Sequence, residues 1–300
     1  MRIDFHCHVD VKPDGSLVTP EEFVAAMDGA AIDKAVVLAV DHGDRGYARP
    51  WVRGVRGPLQ GHGWLPVREL FPGPSNLEDE AVAAFCDAAP GRLIGFASVH
   101  PDRVRPDLKV RRAVQDLGLR GVKLYPHAGF YPNDPRLDRV YEACVDLDVP
   151  VTIHCGIKAV RWQHLKYNDP TYVDDVATNF PDLQVVMLHG GYPWVEQFLV
   201  VAYSNPNVWV DLTFLDRVER VFHQTGLAEY TVRQLTKLVG SERILWGTEG
   251  PYFSLPMFGS QTPADYAASM HTLVNRFEFL SHTDKENILG RNAARLLKLD

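Results

Sequence analysis

The amino-acid sequence predicts a closed (β/α)8 barrel, the TIM-barrel class of α/β fold, and three observations carry the prediction. Short apolar runs alternate with amphipathic helical stretches along the chain, and strict strand-then-helix alternation implies a parallel sheet. Eight such units in 300 residues fit a closed barrel better than an open doubly wound sheet. No Gly-rich phosphate-binding fingerprint follows the first strand, as an open dinucleotide-binding sheet would require.

The strand candidates fall at 2–8, 34–41, 92–99, 119–125, 149–155, 183–189, 207–213 and 243–249. Thr19-Pro20-Glu21-Glu22 reads as a helix start, with Thr19 as N-cap, Pro20 at the first helical position and Glu22 completing a capping box. Later helices are expected at 77–89, 106–118, 135–147, 169–180, 193–203, 227–239, 262–280 and 284–297. Thr283 and Glu286 repeat the capping-box spacing. From His42 to Asn76 the rhythm breaks: the stretch holds seven Gly, five Pro, five Arg and two Trp, too much for an ordinary strand-to-helix connection. Following strand two, it belongs on the catalytic face of a barrel, as a structural flap or as a lid that shapes a substrate pocket. There is no internal repeat, and the whole of 1–300 reads as one domain.

Composition narrows the function classes. At 46% hydrophobic and 23% charged the chain is an ordinary globular one. Its formal charge of −7, without a long basic run, argues against nucleic acid as the main partner. No apolar run reaches the roughly 18 residues of a membrane span, and strand-like sequence from Arg2 leaves no room for a signal peptide. Cys7, Cys86, Cys144 and Cys155 form no C-x-x-C pair, so neither a thiolate metal site nor a disulfide framework is indicated; the expectation is a cytoplasmic protein.

The chemistry concentrates at strand ends. In Ile3-Asp4-Phe5-His6-Cys7-His8, side chains alternate faces, so His6 and His8 point the same way and can grip one metal ion. Cys7 then faces the helical layer as a buried thiol. His154 ends strand five, His189 ends strand six and Glu249 ends strand eight. One strand-end histidine by itself reads as a hydrogen-bonded core residue. Four histidines and a carboxylate, all where barrel strands deliver side chains to an active site, read as a divalent metal centre, since imidazole with carboxylate suits zinc and similar ions. Lys123 in strand four, and His100 and His127 after strands three and four, are candidates for substrate contact; each has an ordinary structural reading beside it. Asp211 is either support for the site or a loop or capping residue. Arg45, Arg49, Arg53, Arg56 and Arg68 of the long segment either bind an anionic part of a substrate or are simply solvated.

These motifs have relatives. His6-Cys7-His8, Gly121-Val122-Lys123-Leu124-Tyr125-Pro126, Ile153-His154-Cys155-Gly156, His189-Gly190-Gly191, Ile244-Leu245-Trp246-Gly247-Thr248-Glu249 and the closing Asn292-Ala293-Ala294-Arg295-Leu296-Leu297 run through nearly the whole chain. With them the sequence resembles the amidohydrolase superfamily, in the branch of aminocarboxymuconate-semialdehyde decarboxylase-like enzymes and related metal-dependent hydrolases. The stretch from Leu165-Lys166-Tyr167-Asn168-Asp169-Pro170 to Phe180-Pro181-Asp182-Leu183 is similar to hydrolases of aromatic catabolism in that branch. The resemblance implies one divalent metal, zinc first with Mn2+, Fe2+ or Co2+ as alternatives, contacted by His6, His8, His154 and the strand-eight carboxylate. It implies His189 as a further ligand or a polarising group beside bound water, and an uncarboxylated Lys123. The family normally carries Asp where this chain has Glu249, whose extra methylene moves the carboxylate by roughly an ångström, a scale to which catalysis is sensitive. Glu249 is therefore expected as ligand, as proton shuttle, or as the mark of an altered reaction. The reaction expected is hydrolysis of a small carboxylated, lactone, aromatic or acyl-thioester substrate by metal-activated water, with His189 or Glu249 handling the proton. A metal-dependent non-oxidative decarboxylase and a non-catalytic small-molecule-binding barrel are the alternatives, and a homodimer or higher oligomer is compatible with each.

Overall fold

The computed structural model describes residues 1–10, 12, 16–43, 79–158, 164–255 and 259–299. The long segment therefore lies outside the described residues from position 44 to 78, and with it Arg45, Arg49, Arg53, Arg56 and Arg68.

Eight parallel strands follow one another in chain order: β1 (Ile3–Cys7), β2 (Lys34–Leu38), β3 (Leu93–Ser98), β4 (Val122–Leu124), β5 (Val151–Ile153), β6 (Val185–Met187), β7 (Val208–Asp211) and β8 (Ile244–Leu245). Backbone hydrogen bonds between β1 and the residues after β8 close the ring. Phe5 N donates to Trp246 O at 2.9 Å, Glu249 N to His6 O at 2.8 Å and His8 N to Glu249 O at 2.9 Å, so the end of β8 pairs with β1. The barrel interior is filled by Ile3, Phe5, Val36, Leu38, Ile94, Phe96, Val186, Leu188 and Leu245. Ala293, Leu296 and Leu297 of the C-terminal helical turn join that cluster, and Arg120 donates to Leu297 O at 2.9 Å, which stoppers the end where the strands begin. The opposite end is left for chemistry. Strand residues on the other face, such as Ala35, Val37, Val122 and Val151, pack with Phe23, Val82, Val110, Val140, Val173, Phe198 and Val232 of the surrounding helices. No helix among the described residues is long and apolar enough to cross a membrane.

Helix ends follow local chemistry. Thr19 caps the helix Pro20–Gly29 as expected, accepting from Glu22 N at 3.2 Å while Glu22 accepts from Thr19 N at 2.9 Å. The last helical stretch departs from expectation. It is two short helices, His282–Glu286 and Asn292–Leu296, joined by a wider turn at Asn287–Arg291. Its cap is Ser281 with Asp284, not Thr283 with Glu286: Ser281 is extended and its Oγ accepts from Asp284 N at 3.1 Å, whereas Thr283 already lies in the first helical turn. An Asp at the third position closes the box as well as a Glu, which a search for Ser/Thr-x-x-Glu alone passes over. Also unforeseen are a helix at Leu215–Val221 and an antiparallel hairpin of Phe253–Leu255 with Gly259–Gln261, both in connections after strands seven and eight.

Candidate metal centre

The first strand delivers its two histidines by an irregularity. Asp4 pairs with Ala35 and Cys7 with Val37, so three steps on β1 match two on β2. This is a β-bulge, which re-aims side chains next to active sites. Ile3 and Phe5 fill the barrel interior; plain alternation from them would turn His6 outward. The extra residue resets the phase, and Cys7 joins the outer core as a buried thiol, as expected.

Four histidines and Glu249 come together. His6 Nε2 lies 3.3 Å from His8 Nε2, and the two nitrogens lie 3.4 and 3.6 Å from the Glu249 carboxylate. His189 Nε2 lies 3.0 Å from His154 Nδ1, and the His6 and His189 ring centroids are 4.8 Å apart. His127 extends the row, its ring 4.0 Å from that of His154. Among the described residues, two three-residue sets have ligand atoms within 4.8 Å of one another: His6, His8 and Glu249, and His6, His189 and Asp211. His154 enters neither set and meets the cluster through His189. His100 is buried but turned elsewhere: its ring lies against Phe130 at 5.0 Å and its Nδ1 accepts from Asp102 N at 3.1 Å. Lys123 is fully buried in β4, and its Nζ has no hydrogen-bond partner among the described residues. Arg53 lies outside the described residues.

Backbone carbonyls fix the rings. His8 Nδ1 faces Leu38 O at 2.9 Å, His154 Nε2 faces Ile157 O at 2.7 Å and His189 Nδ1 faces Thr213 O at 3.3 Å. A carbonyl only accepts, so each of these nitrogens carries the proton and the other nitrogen of each ring offers a lone pair to the cluster. The lone pairs of His154 Nδ1 and His189 Nε2 then confront each other at 3.0 Å. That is repulsive unless a cation or proton sits between or beside them. Two nitrogens on one tetrahedral zinc stand about 3.3 Å apart, so these spacings are those of ligands to a shared ion. The donor set fits a divalent metal.

Burial sets the electrostatics. It holds His6, His154 and His189 well below the usual imidazole range and takes His8 down to about 3, with the Lys123 charge adding to each. The rings are therefore neutral, the form that binds metal. Burial likewise pushes Glu249 up to about 8 and Asp211 up to about 7, and Lys123 down to about 8. A site that raises carboxylates this far and leaves lone pairs converging is short of positive charge, which a divalent ion supplies.

Two supports were weakly legible in the sequence. Asp211, at the end of β7, accepts from Thr213 N at 2.9 Å and Thr213 Oγ1 at 2.8 Å, and its Oδ1 lies 3.5 Å from His6 Nδ1. It is thus a turn residue and a neighbour of the cluster at once. Asp4 was not singled out at all. It accepts from His6 N at 3.2 Å, Thr248 N at 3.1 Å and Thr248 Oγ1 at 2.5 Å, clamping β1 to the residue before Glu249. The sequence signal for it is an acidic residue two places before His6, which plain alternation puts on the face of the expected ligands; the bulge separates them.

The backbone under the cluster is strained and crowded. His189 and Glu249 have φ of 68° and 76°, a region costly for side-chain-bearing residues and common at functional sites. A Cβ on Gly247 would lie 2.4 Å from Thr213 Oγ1 and 2.5 Å from His6 Cβ. Gly247→Ala is accordingly expected to destabilise the fold by about 1–3 kcal/mol through overpacking and to lower metal retention by displacing His6. Thermal unfolding and elemental analysis of the purified variant check this; wild-type values for both would show that the seam yields freely.

The sequence matches the amidohydrolase family over residues 3–299. It is 24% identical over 268 residues to 2-amino-3-carboxymuconate-6-semialdehyde decarboxylase of Dictyostelium discoideum, covering 79% of this chain and 69% of that one. It is 26% identical over 165 residues to 4-sulfomuconolactone hydrolase of Hydrogenophaga intermedia, covering 54% of this chain and 52% of the relative, about half its length. Among solved structures, a TIM-barrel protein of Bordetella bronchiseptica superposes with a TM-score of 0.67 at 23% identity, over 99% of this chain and 98% of that one. The chain belongs to the amidohydrolase family and is an enzyme of the metal-dependent hydrolase and decarboxylase kind.

Proposed function

We propose that the chain is a hydrolase that uses one divalent metal, zinc, held by His6, His8, His154 and Glu249, with His189 and Glu249 handling the proton. The observation that carries the reading is the convergence of ring nitrogens of neutral imidazoles at 3.0 and 3.3 Å beside the Glu249 carboxylate. A divalent ion held by these residues would supply Lewis acidity and a bound water with a pKa near neutrality. The residues of the chain do the rest. His189 or Glu249 takes the proton of the attacking water as general base and returns that proton to the leaving group. Lys123 and His127 line the cluster as contacts for an anionic or carbonyl group of a small carboxylated, lactone, aromatic or acyl-thioester substrate. Arg53, outside the described residues, is kept as a candidate substrate contact, whereas His100 packs against Phe130 and is not assigned to the cluster. The four thiols, all buried and unpaired, suit a cytoplasmic setting.

A second reading has its own support. The decarboxylase of Dictyostelium matches over more of the chain than the lactone hydrolase does, and a non-oxidative decarboxylase would use the same residues to seat a carboxylate and protonate carbon. Product analysis separates them. Incubation of zinc-loaded protein with a panel of lactones, aromatic acids and thioesters in 18O-labelled water is expected to place label in the product without gas release. CO2 release from an aromatic acid with no label incorporation would overturn hydrolysis.

A further inference from the structure

The group standing behind an imidazole decides what the ring presents in front, and by that criterion His127 differs from His8, His154 and His189. His8, His154 and His189 have backbone carbonyls behind them and therefore turn lone pairs inward. Behind His127 Nε2 stands the side-chain amide nitrogen of Asn168, a residue that is itself buried. The orientation of that amide follows from its other neighbours. Asn168 Nδ2 reaches Gly156 O at 2.8 Å, and a carbonyl can be met only by the NH2 side of an amide, which leaves its second N–H for His127. Gly156 N donates back to Asn168 O at 2.8 Å, which pins the main chain at the same place.

An amide NH2 only donates, so His127 Nε2 must accept. The single proton of this neutral ring then lies on Nδ1. That Nδ1 is buried and has no hydrogen-bond partner among the described residues, and neither has the Lys123 Nζ four positions earlier on β4. Both flank Tyr125: the His127 ring lies 4.9 Å from its ring and Lys123 Nζ lies 6.0 Å from its centre. Two donors without acceptors among the described residues, next to three rings that turn lone pairs inward, divide the cluster into a cation side and an anion side.

We infer that Asn168 is a positioning residue that holds His127 in its Nδ1–H form, and that this N–H together with Lys123 binds a carboxylate of the substrate. The inference rests on the proposed reading of the neighbouring rings as the metal-dependent active site. It deepens that reading by naming the group the site takes beside the metal and the residue that prepares it. It also separates His127 chemically from its neighbours: a ring held by an amide donor is unsuited to face a cation, whereas rings held by carbonyls are unsuited to face an anion.

The test begins with the zinc-loaded protein labelled with 15N at histidine. Two-bond proton–nitrogen correlation spectra, with the His127 signals assigned from their loss in His127→Gln, are expected to show a protonated Nδ1 and a bare Nε2. A proton on Nε2 overturns the inference outright. In Asn168→Asp the partner can only accept, so the proton is expected to move to Nε2. Isophthalate, an aromatic dicarboxylate whose groups are too far apart to chelate one ion, is the binding probe. Its Kd is expected to rise about 10- to 100-fold in Asn168→Asp, the range for losing a hydrogen bond to a charged group. A shifted proton with unchanged Kd, or no binding to wild-type protein, overturns the carboxylate assignment. Should Asn168→Asp fail to fold, His127→Asn and His127→Gln decide. The Asn amide overlays Nδ1 and is expected to keep affinity close to wild type, whereas Gln overlays Nε2 and is expected to lose it; equal losses or the reverse order overturn the proposal. Metal content is measured in every sample. A wild-type protein that binds no zinc but shows the stated His127 proton defeats the metal reading and leaves the Asn168 assignment intact, so the two failures are distinguishable.

Discussion

Replacement of His6 and His8 together by Ala is expected to reduce bound metal from about one ion per chain to none and to reduce turnover to background. The two Nε2 atoms at 3.3 Å, both facing Glu249, form half of the proposed donor set. Zinc sites need three or four protein ligands; with two removed, the proposed set keeps only His154 and Glu249, whose carboxyl burial pushes up to about 8, too few to hold an ion. Elemental analysis of protein purified without chelator reads the result, and far-ultraviolet circular dichroism checks that the barrel is intact. Chelation of wild-type protein is expected to reproduce the loss, and added zinc to reverse it. Full metal content in the double variant would falsify the assignment of the site to the first strand.

Glu249→Gln keeps the side-chain shape and removes the titrating group. If Glu249 passes a proton, kcat is expected to fall by about 10²- to 10⁴-fold, the usual contribution of a general acid–base group, while metal content stays near wild type. If the carboxylate is instead a required ligand, metal occupancy falls with kcat and excess zinc restores part of the rate. Glu249→Asp separates the two further. It restores the residue usual in this family, but from a backbone held at φ 76° by Gly250 and the pairing with His6 and His8. The shorter arm withdraws the carboxylate from two nitrogens now 3.4 and 3.6 Å away, and the variant is expected to be impaired. Near-normal turnover in Glu249→Gln would leave Glu249 a structural residue and sink both catalytic roles.

Much of the fold was legible because its determinants are local and periodic. Apolar runs at strand spacing, the Thr19–Glu22 box and the alternation of element types each depend on a few adjacent residues, and all recur in the structure. The last helix was read less well, because Thr283 and Glu286 satisfy the same spacing rule as Ser281 and Asp284; the choice between them depends on where the chain enters from the preceding turn. His6, His8, His154, His189 and Glu249 could be nominated from position alone, since barrel strands end on one face. The reason His6 points inward could not. It lies in a one-residue bulge, set by pairing with β2 and by Asp4, which no periodicity announces.

The sequence by itself determined the class of barrel, the residue types at its strand ends and hence the kind of chemistry they suit. The tertiary structure alone decided which nitrogen of each ring faces the cluster. That choice is made by Leu38, Ile157 and Thr213 carbonyls and by the Asn168 amide, 30, 3, 24 and 41 residues distant from their histidines. Imidazole tautomers are fixed by hydrogen bonds across space rather than along the chain, so a residue's role as ligand or donor is settled only when the barrel closes.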